Sequence, residues 1–150
     1  MFETNSDLLA EVKDLSVYNA SEVINITNDS QLIFRDVIVL DCGGGYTFNA
    51  PSGLPGNQFN ILGGTVSSPT RTADYFVKCL SGRTTIRNLT MENGVDINDI
   101  IIAEGSDAFV IINGFTCVSS NVTVGINATS NSRVLFDGVF LQSMDVCLHG

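Results

Sequence analysis

The sequence predicts an all-β fold, a short right-handed parallel β-helix of about five coils, and three observations carry that expectation. A motif recurs five times, with starts 27, 25, 26 and 24 residues apart. Within each repeat the apolar positions change parity once, and the residue at the change is always Gly, Asn or Asp. Hydrophobic residues make up 44% of the chain and charged residues only 15%, the balance of short apolar strands joined by turns.

The motif starts are Phe34, Ile61, Ile86, Ile112 and Phe136. Two residues earlier stand Leu32, Phe59, Thr84, Val110 and Val134, so the strand entering each start has period 2 and one largely apolar face. Past the start, the apolar residues move to the third and fifth positions: Val37 and Val39, Leu89 and Met91, Phe115 and Cys117, Val139 and Leu141. A straight strand would point those residues away from the core. A bend two residues after the start restores them, and there stand Asp36, Gly63, Asn88, Gly114 and Gly138, types that accept a left-handed backbone at little cost. Each repeat therefore reads as strand, one-residue corner, strand.

A third strand follows in each repeat, at Tyr46–Phe48, Tyr75–Cys79, Ile100–Ile102, Val124–Ile126 and Val146–Leu148. Turn-rich stretches such as residues 49–53 and 129–132 separate the pieces. At about 4.8 Å between paired strands, five such coils rise roughly 25 Å. The N-terminal run places Leu8, Leu9, Val12 and Leu15 at helical spacing, with Asn5 or Ser6 as N-cap. Residues 1–18 are thus expected to be a helix capping the open end of a single domain whose coils fill residues 19–150. A jelly roll or β-sandwich is the alternative, since frequent short strands serve either architecture.

The run Thr85-Ile86-Arg87-Asn88-Leu89-Thr90-Met91-Glu92-Asn93-Gly94 resembles a rung of the pectin-lyase-like parallel β-helix superfamily, in which an Asn or Gly corner separates two short strands. The likeness extends as a pattern over about residues 20–148. It implies the coil. Polysaccharide lyases and hydrolases share that fold, and fold alone does not carry activity.

Glycosidic chemistry needs paired carboxylates flanking the bond. The acidic residues to test first are Asp96, Asp99, Asp137 and Asp145, although Asp96 and Asp99 also suit a turn. No catalytic residue is assigned. The ending Asp145-Val146-Cys147-Leu148-His149-Gly150 is similar to acidic and His-Gly motifs of polygalacturonases, but the remaining acidic positions and the basic clamp have no counterpart, so His149 reads as a terminal, solvated residue. Gly43-Gly44-Gly45 lacks the Lys-Ser/Thr and helix of a phosphate loop and reads as a flexible turn.

Cys42, Cys79, Cys117 and Cys147 are far apart, three of them within apolar strands, and His149 is the single histidine. Reduced thiols are expected, with no metal and no cofactor. A net charge of −9 opposes nucleic acid and anionic membranes as partners. No apolar run reaches the roughly 20 residues of a membrane span, and the N-terminus lacks the layout of a signal peptide, so manufacture in a host cytoplasm is expected.

The strand at Val146–Leu148 leaves an edge for which the sequence offers no cap, and bare edges invite pairing. The expectation is a non-enzymatic structural protein resembling phage or virus components, a capsid decoration or tail-spike protein, assembled as a homotrimer on other virion proteins. A glycan remains a candidate ligand, and a polysaccharide-processing enzyme or its remnant is the alternative.

Overall fold

Six residues at one position of successive repeats adopt positive φ: Asp14 (51°), Asp36 (53°), Gly63 (74°), Asn88 (52°), Gly114 (68°) and Gly138 (59°). The computed structural model, which describes residues 2–4, 8–26, 30–49, 58–67, 72–92 and 96–150, shows why. Each of these residues turns the chain between two extended segments that both face the interior, at a break between strands for Asp14, Asp36 and Gly63 and within one long strand for Asn88, Gly114 and Gly138. The coil alignment read from the sequence is therefore the observed one, and it holds for one more repeat than the motif starts suggested.

Among the described residues thirteen strands form, in order β1 Phe2–Thr4, β2 Leu8–Lys13, β3 Ser16–Tyr18, β4 Ile24–Ile26, β5 Ser30–Arg35, β6 Ile38–Leu40, β7 Tyr46–Asn49, β8 Gln58–Leu62, β9 Thr65–Ser67, β10 Ala73–Met91, β11 Asp96–Glu104, β12 Ala108–Thr129 and β13 Arg133–His149. Every pairing among them is parallel. That pattern excludes the antiparallel jelly roll and sandwich. The chain is a parallel β-solenoid of about five turns.

Three faces run along the solenoid. The first holds β1, β4, β7, the start of β10, β11, the second half of β12 and the end of β13. On the second face Val12, Phe34, Ile61, Ile86, Ile112 and Phe136 stack in register. On the third face Val17, Val39, Val66, Met91, Cys117 and Leu141 do the same. The long β10, β12 and β13 cross from face to face.

The N-terminal capping helix does not form: among the described residues there is no helix, and Leu8–Lys13 is β2. Its pairing with β5 sets Ala10 beside Leu32 and Val12 beside Phe34. Leu8, Leu9, Val12 and Leu15 fit a helical period, but Ala10, Val12, Asp14, Leu15 and Val17 also fit the strand–corner–strand template. A short isolated helix is marginal in water, and pairing with an existing strand outweighs its propensity. The coils thus begin well before residue 19. The N-cap expected at Asn5 or Ser6 and most of the turn at 49–53 lie outside the described residues.

An aromatic stack fills the middle of the core. Tyr46 contacts Phe34, Phe59 and Phe76 with ring centroids 5.5, 5.6 and 5.3 Å apart, and Phe48 lies 5.7 Å from Phe59. All five rings are buried, each contributing about 2–3 kcal/mol relative to exposure. Burial also raises the Tyr46 pKa. Cys42, Cys79 and Cys117 are free thiols packed inside, whereas Cys147 is free and exposed. Burial lifts the Cys117 thiol to about 11.

Corner residues also fit one another along the stack. A Cβ on Gly114 would lie 2.7 Å from Asn88 Oδ1, and one on Gly63 would overlap Asp36 Oδ1, so each polar side chain occupies the space over the next glycine. Gly138 has no such neighbour, its nearest atom being Gly114 N at 3.5 Å. Gly114→Ala is therefore expected to cost about 2 kcal/mol, from backbone strain plus a clash, and Gly138→Ala about 1 kcal/mol, from strain alone. Urea unfolding of the two variants checks this. Equal costs, or none, would contradict the corner geometry.

Candidate functional site

The outer surface of the first face carries most of the polar side-chain contacts that link one coil to the next. It begins at Glu22, in the turn before β4. Thr47 and Tyr75 both donate hydroxyl hydrogen bonds to Glu22 Oε1, Tyr75 at 2.6 Å, and the two hydroxyl oxygens are 2.7 Å apart. Two hydroxyl protons thus serve three short contacts.

The backbone beneath explains the placement. Gly43 N donates to Ala20 O, Gly45 N to Tyr75 O and Val23 N to Gly45 O, so the glycine triplet stitches three coils together. A Cβ on Gly44 would lie 3.3 Å from Tyr75 Cζ, and one on Gly45 would overlap the Phe76 carbonyl. The triplet is a close-packed turn on which the Tyr75 ring rests. That is why a run resembling a phosphate loop stands here without one.

Next along the stack, Asp99 pairs with Tyr75 in register. Asn127 Nδ2 donates to Asp99 Oδ1 at 3.2 Å, and Asn127 Oδ1 lies 3.3 Å from His149 Nδ1. With the Asn127 oxygen as acceptor, His149 Nδ1 is the donor of this contact. A parallel column is held by Asn98 donating to Asp74 at 3.5 Å, and another by Thr72 donating to Asp96 at 2.8 Å. Lys78 sits 5.9 Å from the Tyr75 ring centroid.

Of the acidic candidates, the fold brings Asp96, Asp99 and Asp145 to this one face. Asp145 lies between the paired residues Met144↔Val122 and Val146↔Val124, hence opposite Thr123. Asp137 stands apart on the second face, opposite Asn113. His149, read from sequence as a solvated terminus, is exposed but joins the Asp99–Asn127 chain. Glu22, Thr47 and Tyr75 were not singled out by sequence, because residues 25 and 28 apart and 53 apart meet only through the coil. Among the described residues no group of three His, Cys, Asp or Glu side chains is placed to hold a metal ion.

Chemically, the face offers carboxylates already engaged by neutral donors, one phenol and one imidazole. Desolvation, reinforced by the Glu22 carboxylate that accepts its proton, pushes Tyr75 up to about 12. Comparison with family models, with curated proteins and with solved structures gives no match in any of the three. The class defined by the fold is that of the parallel β-solenoids.

The raised phenol makes stability depend on alkaline pH. Tyr75 keeps its proton in the folded state above the ordinary value of 10.0, so its contribution is complete below pH 10 and is lost as pH rises toward about 12. Tyr75→Phe is expected to cost about 1.5 kcal/mol at neutral pH, the loss of a hydrogen bond to a charged acceptor. It also flattens the decline across that alkaline window, leaving the parts due to Tyr46 and to the buried Cys79 and Cys117 thiols, whose pKa values burial also raises. Chemical unfolding at stepped pH reads both effects, and an unaltered alkaline slope would contradict the assignment.

Proposed function

We propose that this protein is a non-enzymatic structural component of a phage or virus particle, a capsid decoration or tail-spike or fibre protein that assembles as a homotrimer and seats on other virion proteins. The observation that supports this reading most is the outer surface of the third face. Ser16, Ile38, Thr65, Thr90, Thr116 and Phe140 stack there in register, beside Tyr18, Leu40, Ser67, Glu92, Val118 and Gln142. Tyr18 and Phe140 are 61% and 53% exposed, and Ile38 and Val118 are exposed as well. A face made mostly of hydroxyls and apolar groups loses few hydration contacts when it meets another protein.

The first face fits the same reading. Glu22, Asp74, Asp96 and Asp99 accept hydrogen bonds from Thr, Tyr and Asn donors that tie coil to coil, which rigidifies a stack and removes freedom that acid–base chemistry needs. We read the solenoid as right-handed and pectin-lyase-like, consistent with the strong right-handed preference of parallel crossovers. Its place is the virion after manufacture in a host cytoplasm.

A second reading rests on Tyr75, Asp99 and His149 sharing one sheet surface: a polysaccharide-processing enzyme, or a glycan-binding remnant of one. One experiment separates the two. Light scattering of the purified chain, run beside incubation with acidic and neutral polysaccharides, is expected to give about 48 kDa, three times the 16.0 kDa chain, with no new reducing ends or unsaturated products. A concentration-independent 16 kDa species would remove the trimer, and turnover of any polysaccharide would put the enzyme first.

A further inference from the structure

Cations are unevenly distributed on this acidic protein. Of its seven Lys and Arg residues, Lys13, Arg35, Arg83, Arg87 and Arg133 all lie on strands of the second face, in β2, β5, β10 and β13. Glu11 pairs with Lys13 at 3.3 Å and with Arg35 at 3.0 Å. Among the described residues no salt bridge engages Arg83, Arg87 or Arg133, and all three are exposed.

These three arginines form an ordered patch, with Asp137 two rungs from Arg87 in the same column. Arg83 and Arg133 flank Phe109 in register, and the Arg83 guanidinium lies 5.8 Å from the centre of that ring. Arg87 projects from the same strand four residues on, with the buried Thr85 between. Ile111 and the 58% exposed Leu135 continue the patch along the stack.

The first face has the opposite character, with Glu22, Asp74, Asp96, Asp99, Glu104 and Asp145 on or beside its strands. Lys78, the cation described there, is drawn in over Tyr75. The two faces also match in height. Asp74 belongs to the same coil as Arg83 and Arg87, and Asp96 and Asp99 lie one rung away, about 4.8 Å, within the span of an arginine side chain.

We propose that the arginine patch of the second face docks on the carboxylate-rich first face of another copy of this chain. The proposal rests on the homotrimer reading and names the contact that builds it. Like charges oppose first-face to first-face pairing, so the contact is head-to-tail between different faces, and such a contact closes into a three-membered ring when the rotation between copies is about 120°. Rotation about an axis parallel to the solenoid keeps residues at equal height, which brings Arg83 and Arg87 of one copy to Asp74 and Asp96 of the next. The third face is left free for other virion proteins.

The test is charge exchange read by sedimentation. Arg83→Glu with Arg87→Glu is expected to weaken association of the copies about ten-fold or more, with the β circular dichroism retained. Adding Asp74→Arg and Asp96→Arg to that variant is expected to restore the trimer and to prevent mixing with the unaltered chain. An R83E/R87E protein that assembles as tightly as the original overturns this contact and leaves the trimer standing. An original chain that stays monomeric at every concentration overturns both. Should R83E/R87E fail to fold, salt decides on the original chain: rising ionic strength is expected to dissociate it, and an indifferent mass overturns the proposal.

Discussion

The whole solenoid depends on one backbone constraint, the left-handed residue two positions after each inward-facing start. Without it Val37, Leu89 and Phe115 would point to solvent, since strand side chains alternate. With it both strands of the corner share the core. The magnitudes decide the outcome: a non-glycine residue at positive φ costs about 1–2 kcal/mol, whereas burying a Val, Leu or Phe returns about 1.5–3 kcal/mol. Asp14, Asp36 and Asn88 carry that cost. The Asp36 and Asn88 side chains lie over the glycine of the next coil.

Stacking multiplies the effect. Once corners align, residues about 25 positions apart pair in parallel on all three faces, and the aromatic cluster around Tyr46 locks coils that no local contact would join. The outward positions are freed from core packing and diverge by face. One face links its coils through hydroxyls, amides and carboxylates, one gathers arginines, and one is apolar and hydroxyl-rich. That separation is the physical basis of the proposed assembly.

Much of this was legible in the sequence, and the rest was not for definable reasons. The stack Phe34–Ile61–Ile86–Ile112–Phe136 and its corner column follow from parity and residue type alone. The first coil was misread because Leu8, Leu9, Val12 and Leu15 satisfy two periods at once, and only pairing with β5 chooses between them. The Glu22–Thr47–Tyr75 contacts were invisible because they join outward positions, where no hydrophobic pattern constrains the residue. The same holds for the arginine patch: charges scattered over residues 13–133 become neighbours only after the coil is wound.

The most direct test of the central claim is nuclear magnetic resonance of the 16.0 kDa chain, read for backbone contacts between strands. The account predicts parallel cross-strand signals linking Ile61 to Ile86, Ile86 to Ile112 and Ile112 to Phe136, with positive-φ couplings at Asp36 and Asn88. Antiparallel signals between neighbouring strands, or extended backbone at those two corners, would contradict it.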